Sequence, residues 1–370
     1  SRAIPLVSSS EIISKVIVQA ARQPGISSVY AEIFSYGGTT AFVVRCPVAT
    51  DRAFGAVAHW FDDAIPIGIS WRSEESGGLQ AALNPEADYE IAADERLVLL
   101  ASHPDPKPDP ARTAPPVPFA GDGVKMSRPM DRILILGWNE NIDEILGEFD
   151  AHASRDAVVT VLAAHEEDYA AEFLETAIPQ PFSNIKVDYR RGGAINRRTL
   201  ELLRPENYDC IITLADESHG EEDPDARTIM TLLVLGDLLQ GRRLPHVVAE
   251  IHDGANDGLL RETVARDVVV SPQMVSLQLA QISRDPVLGS IYRELLSAGG
   301  IEVGLQTARR YVALGTPCRF DEVVAAAQRF TEIAIGVRSA GQIVLNPAKD
   351  SSWTLGENDR VVVMAQQLYE

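Results

Sequence analysis

The sequence predicts an α/β protein in which a Rossmann-like parallel-sheet domain is flanked by two smaller α+β subdomains. Three observations carry that prediction. Residues 9–38 and 271–300 are one segment written twice, offset by 262 residues without a gap. Eleven of the thirty positions are identical, among them Arg22/Arg284, Pro24/Pro286, Tyr30/Tyr292 and Glu32/Glu294. Residues 132–270 alternate short apolar runs with helical patterns, and a proline-rich stretch separates that alternation from the first repeat copy. A repeat with so long a period signals a duplicated domain rather than a solenoid.

In the first copy, Ile12, Ile13, Val16, Ile17 and Ala20 recur at helical spacing, and Pro24-Gly25 ends that helix. Strands are expected over 29–34, 40–45, 65–71 and 97–101, with a short helix over 52–60. The alternating prolines from His103 to Pro110, continued by Pro115, Pro116 and Pro118, forbid a helix and predict a semi-rigid linker. Strands are then expected at 132–136, 157–163, 185–189, 210–214, 246–251 and 268–270. Helices are expected at 142–152, 166–176, 197–203, 223–240 and 258–264. That order is the signature of a parallel sheet wrapped on both faces. The second copy predicts helices at 272–284 and 286–298, then strands near 302–306, 332–337 and 360–364. Leu83-Asn84-Pro85 and Leu345-Asn346-Pro347 return at the same offset as the opening repeat. Copy two follows a Rossmann half and copy one follows only eight residues, which predicts that the first module's own Rossmann half lies upstream of Ser1.

A net charge of −20 argues against a nucleic-acid surface, since phosphate contacts need clustered Lys and Arg. Cys46, Cys210 and Cys318 are scattered without C-x-x-C spacing, which predicts a reduced, cytosol-like compartment. No run reaches the ~20 apolar residues of a membrane span.

Two stretches are candidates for chemistry. Gly137-Trp138-Asn139 follows the first strand of the parallel sheet, where a dinucleotide fingerprint belongs. Only Gly137 of the three glycines is present, with Asn139 and Ile142 in the other two places. Nor does the second strand end in a ribose-binding acid, so NAD is not expected. The second stretch follows the fourth strand, at the ligand-binding edge of such a sheet. Asp216, Glu217, Glu221, Glu222, Asp223 and Asp225 place six carboxylates in ten residues, the hard oxygen donors that Ca²⁺ prefers. Capping of the helix that begins at Pro224 is the competing explanation for this cluster. Arg190, Arg191, Arg197 and Arg198 surround Gly192-Gly193; they are expected to neutralise this acidic loop or to cradle an anion. No G-x-S-x-G, Walker A or H-E-x-x-H pattern occurs, and His165-Glu166-Glu167-Asp168 lacks the second histidine that zinc would need, so an enzyme is not expected. A NAD(P)-dependent oxidoreductase and a ligand-free scaffold stay open as alternatives.

Four stretches resemble the CASTOR/POLLUX family of ion channels, with their tandem RCK (regulator of K⁺ conductance) domains. They are Ala20-Ala21-Arg22-Gln23-Pro24-Gly25; Ile65-Pro66-Ile67-Gly68-Ile69 with Leu83-Asn84-Pro85; Leu136-Gly137-Trp138; and Ala215-Asp216-Glu217-Ser218 with Asp225-Ala226-Arg227 and Thr231-Leu232-Leu233. The resemblance implies a C-terminal subdomain of a first RCK module at 1–102 and a linker at 103–130. It places the Rossmann-like half of a second module at 131–270 and its C-terminal subdomain at 271–370. It further implies RCK dimers within a tetrameric gating ring, coupled to the protein's own membrane-embedded pore domain and facing the cytoplasm. Ca²⁺ is the gating ligand it suggests. Composition adds a hint of a bacterial member of the family.

Overall fold

The computed structural model describes residues 9–35, 37–74, 77–115, 120–125, 130–178, 181–216, 223–296 and 300–366. Two helices open it, α1 (Ser9–Arg22) and α2 (Ile26–Phe34). The sequence predicts a strand over 29–34, and the structure corrects this to α2. Val29, Tyr30, Ile33 and Phe34 are all buried, a spacing that lines one helix face and cannot alternate across a strand.

The first small sheet follows: β1 (Thr40–Val44), the one-turn helix α3 (Phe54–Val57), β2 (Ala64–Arg72), β3 (Leu79–Leu83) and β4 (Arg96–Ala101). Its strand order is β1-β4-β2-β3, antiparallel throughout. The Rossmann elements are β5 (Arg132–Leu136), α4 (Ile142–His152), β6 (Ala157–Ala163), α5 (Glu167–Ala177), β7 (Ile185–Arg191), α6 (Arg197–Leu203), β8 (Cys210–Thr213), α7 (Pro224–Leu238), β9 (His246–Ile251), α8 (Asp257–Leu260) and β10 (Asp267–Val270). The second copy contributes α9 (Ser271–Arg284), α10 (Leu288–Leu296), β11 (Glu302–Thr307), β12 (Pro317–Arg319), α11 (Phe320–Gln328), β13 (Ile333–Ser339), β14 (Gln342–Leu345), β15 (Ser352–Thr354) and β16 (Arg360–Ala365). Its four-stranded sheet, β11-β16-β13-β14, repeats the first in order and direction.

The duplication extends to backbone detail. β2 is bulged between Pro66 and Gly68, and β13 between Ala334 and Gly336. A Cβ on either glycine would collide with a carbonyl of the neighbouring strand, of Ala82 or of Val344. Asn84 and Asn346 end β3 and β14 in the left-handed region, at φ 48° and 47°. Each donates its backbone N–H across the bulge, to the Ile67 and Ile335 carbonyls respectively, both at 2.8 Å.

The chain forms two compact units. One joins Val29–Ser127 and Leu277–Glu370, and so holds both small sheets. Within it the subdomains make reciprocal contacts: the Asn84 carboxamide donates to the Thr331 carbonyl at 2.8 Å, and that of Asn346 to the Asp63 carbonyl at 2.6 Å. The linker is docked on both subdomains. Asp109 donates its N–H to Trp60 at 2.7 Å, and Asp122 donates its own to Arg309 at 2.8 Å.

The other unit joins Ser8–Ser28 with Arg128–Ser276. Helix α1, which the sequence assigns to the first small subdomain, therefore belongs with the Rossmann sheet. Its Ile12, Val16, Ile17, Val18, Ala20 and Ala21 are buried as it packs against α4 and β8–β10. Ser10 Oγ donates to Glu144 at 2.8 Å, and His246 Nε2 lies 2.8 Å from the Ala20 carbonyl. The buried Asp267 carboxylate accepts from Gly25 N at 2.7 Å, Ser27 N at 3.1 Å and Ser27 Oγ at 2.6 Å. The parallel sheet has the order β10-β9-β8-β5-β6-β7, so the winding reverses between β5 and β8. Leu134, Leu136, Ile211, Leu232, Leu235, Val247 and Ala249 form part of its core. Among the described residues, no helix is long and apolar enough to cross a membrane.

Candidate functional site

The reversal point places the two sequence-predicted stretches side by side, Gly137 after β5 and Asp216 after β8. Gly137 adopts φ 95°, and a Cβ there would lie 3.0 Å from the Leu214 carbonyl and 3.2 Å from the Asp216 Cβ. Only glycine meets both demands. The cavity between them measures about 10 Å³ and is lined by Gly137, Thr213, Asp216, Arg227 and Thr228 among others. That is roughly the smallest space in which one water can sit.

Asn139, standing where the fingerprint has its second glycine, is 3% exposed and makes two internal bonds. Its Oδ1 accepts from Asn141 N at 3.1 Å, a backbone donor at the start of α4, and its Nδ2 donates to Glu250 at 2.8 Å. In a nucleotide site those helix-end donors would face a pyrophosphate. Here a side chain of the protein takes one of them. Trp138 turns the other way, with ring centroids 5.5 Å from His165, 5.4 Å from Phe173 and 6.0 Å from Tyr189. The β6 end is thus covered by aromatic rings where an adenosine ribose would need an acid. Burial pushes the Tyr189 hydroxyl up to about 12, and it donates to the His165 carbonyl at 2.9 Å.

The acidic stretch divides into three parts. Asp216 is buried and its Oδ2 lies 3.9 Å from Arg227 Nε. Glu217, Glu221 and Glu222 lie outside the described residues. Asp223 caps α7, accepting from Asp225 N at 3.0 Å. Asp225 turns away into the β9–α8 connection, where its carboxylate accepts from His252 N at 2.8 Å, Asp253 N at 2.9 Å and Asn256 Nδ2 at 2.8 Å. Three donors on one buried carboxylate hold that turn in place. Capping therefore accounts for Asp223 and turn-holding for Asp225, while Asp216 stays at the sheet edge where the loop leaves β8.

Among the described residues, the arginines expected to face this loop pair with other acids. β7 lies at the sheet edge, with β5 and β6 between it and β8. Arg190 pairs with Asp188 at 3.0 Å, Arg191 with Glu166 at 2.5 Å, and Arg197 with Glu201 at 3.0 Å and with Asp237.

Glu250 is the residue that the sequence does not announce. It is 1% exposed at the end of β9, inside a run that otherwise reads as a plain buried strand. Besides Asn139, it accepts from Ala215 N at 3.2 Å and from Ser271 Oγ at 2.5 Å. One carboxylate thus ties together the glycine turn, the residue before Asp216 and the first residue of α9. A lone acid in an apolar strand of a parallel sheet was the available signal.

Comparison with known proteins agrees with this architecture. Residues 10–116 match the family model described as Castor and Pollux, part of voltage-gated ion channel. The ion channel CASTOR of Lotus japonicus is 27% identical over 98% of this chain and 46% of its own length. The ion channel DMI1 of Medicago truncatula is 26% identical over 98% of this chain and 45% of its own length. The chain thus spans about half the length of the curated relatives it matches. Among solved structures, the human SLO3 gating ring superposes with a TM-score of 0.68 at 14% identity, covering 97% of this chain and 75% of that one, a likeness of fold. With a duplicated small subdomain, a Rossmann-like sheet and these relatives along nearly its whole length, the chain is a homologue of the CASTOR/POLLUX ion channels.

Proposed function

We propose that this chain is the ligand-sensing, gating-ring region of a tetrameric cation channel, lying on the cytoplasmic side of the membrane that holds the pore. Its role is to convert the binding of a divalent cation, Ca²⁺ in the first instance, into a bias on pore opening. No catalytic step belongs to this reading. A ligand shifts such an equilibrium only by its differential affinity for the two states, typically ~1–3 kcal/mol of coupling.

The observation that supports it is the Glu250 node. The residue preceding Asp216 and the first residue of α9 are held by one buried carboxylate. Helix α9 then leaves the Rossmann unit and ends in the unit that holds both small sheets. A cation drawing Asp216 and Glu217 together would pull on Ala215, and through Glu250 on the start of that helix. Mutual repulsion keeps such carboxylates apart when the cation is absent.

The test is single-channel recording of this region joined to a tetrameric pore, with Ca²⁺ varied on the side bathing this region. Open probability should change with Ca²⁺, and Glu250→Gln should weaken that response. A Ca²⁺-independent open probability would sink the proposal.

A further inference from the structure

The unit holding both small sheets contains a cavity of about 250 Å³, lined by His59, Arg112, Thr113, Arg319, Asp321 and Lys349 among others. That is room for several waters, at about 30 Å³ each. Its chemistry is unusual for a chain of net charge −20, since four basic side chains face one acid.

Lys349 is the anomaly. It is 2% exposed, and its Nζ has no hydrogen-bond or ion-pair partner among the described residues. Its Nζ sits over the Phe320 ring, 5.3 Å from the centroid. A buried ammonium without a partner is costly, so such a group either loses its proton or acquires a counter-ion. The acids at hand are already engaged. Asp321 accepts from Arg319, with Nε at 3.1 Å, and Asp62, outside the cavity lining, pairs with Arg112. His59 Nε2 lies 2.9 Å from Gln328 Oε1.

The duplication supplies a control inside the molecule. Asp321 N donates to the Lys349 carbonyl at 2.9 Å, and Gly55 N donates to the Ala87 carbonyl at 2.9 Å. Ala87 stands at the repeat offset from Lys349, two residues beyond Pro85 as Lys349 is two beyond Pro347. The first-copy corner is lined by Phe54, Gly55, Ala58, Pro85 and Ala87 together with second-copy residues, and encloses only about 30 Å³. Identical backbone thus frames a closed apolar corner in one copy and an open basic one in the other. The linker residue Arg112 completes only the latter.

We propose that this basic corner is a binding site for a small oxyanion of the phosphate class. Guanidinium forks suit such oxygens geometrically, and the ammonium supplies a point charge beneath them. The assignment stands apart from the channel reading and from the acidic loop.

Burial pushes the Lys349 ammonium down to about 7. Asp321 and Asp62 oppose that fall, Arg112 adds to it, and His59 is itself lowered by burial. An anion that needs the charged lysine should therefore bind more weakly as pH rises.

Isothermal calorimetry of the chain with sodium sulfate, whose charge is constant, and with inorganic phosphate tests this against chloride at equal ionic strength. Saturable sulfate binding should weaken about tenfold from pH 6 to pH 8, following the fraction of charged lysine. It should be lost in Lys349→Met, which replaces the ammonium with an apolar side chain of similar length. Arg112→Gln, at a half-buried linker side chain, should weaken binding without abolishing it. Tighter binding of glycerol phosphate than of inorganic phosphate would identify an ester as the ligand, and equal affinity a free oxyanion. Absence of saturable binding to both sulfate and phosphate, or binding unchanged in Lys349→Met, would overturn the proposal.

Discussion

The two small subdomains share their backbone and differ in where they bury charge. Both have the same strand order, the same bulge before a glycine and the same left-handed asparagine. Among the described residues of the two subdomains, the second copy alone buries a full ion pair. Arg310 and Glu332 meet at 2.9 Å with exposures of 3% and 2%, and the Arg310 guanidinium also stacks 4.0 Å from the Phe330 ring centroid and donates to the Gly123 carbonyl of the linker. Val48 stands at the 262-residue offset from Arg310, and Ala64, four residues before Gly68 as Glu332 is four before Gly336, takes the place of Glu332 in the first copy. Lys349 against Ala87 is a further such difference. Features fixed by backbone geometry are retained in both copies, while buried charge at these positions distinguishes the second copy from the first.

The largest way to break this comparison is Glu332→Gln. Leaving Arg310 buried without its counter-charge should cost about 3–5 kcal/mol, read as a shift in the urea midpoint. Ala64→Ser, at the matching place in the first copy, should cost less than half of that. Equal losses would mean that the ion pair is no special anchor.

Lys349→Met should act in the opposite direction, stabilising the unit by about 1–4 kcal/mol at pH 6, as replacement of a costly buried ion does. The sign follows from linkage. The folded value of about 7 lies below the 10.5 of a free lysine, so from pH 7 towards 10 the unfolded chain binds more protons. Stability of the parent should therefore rise across that window relative to the variant, and the gap between them should close. A gap independent of pH would place the lysine's charge outside the stability balance.

Gly68→Ala and Gly336→Ala form a matched pair. Each drives a Cβ into a neighbouring strand's carbonyl, at a cost of about 1–3 kcal/mol, and the two losses should agree within ~0.5 kcal/mol. Smaller again, Asn84→Ala and Asn346→Ala each lose a reciprocal hydrogen bond and tolerance of the left-handed backbone, about 1–2 kcal/mol. Thermal midpoints that fall for one asparagine and not for the other would show that the reciprocal contact is one-sided.

Much of the fold was legible because buried parallel strands are written plainly. β5, β6 and β9 begin and end where the apolar runs do. The misassigned strand at 29–34 was avoidable, because the repeat aligns it with a segment already read as helical, α10. Helix α11 and the edge strands β3, β12, β14 and β15 escaped notice. They are short, and the edge strands carry few buried positions to set a pattern, so local sequence says little about them. Placement of α1 on the Rossmann sheet depends on Asp267, 240 residues beyond Ser27, a pairing that no local signal announces.

The candidate sites were legible by position and not by partner. The Gly137 turn and Asp216 converge as the strand order requires. That Asp225 faces the turn after β9 depends on contacts made only in the folded chain. Lys349 was visible only as the residue that replaces Ala87 between the repeats. Its burial could not be read from its chemistry, since lysine is ordinarily exposed.

The most direct test of ligand sensing is calorimetry of the chain with Ca²⁺ after chelator treatment, beside Mg²⁺ and NAD⁺ as controls. Saturable Ca²⁺ heat that disappears when Asp216→Asn, Glu217→Gln and Asp223→Asn are combined is the result predicted here. Silence towards Ca²⁺, or heat that the triple variant leaves unchanged, would contradict a cation sensor at this loop.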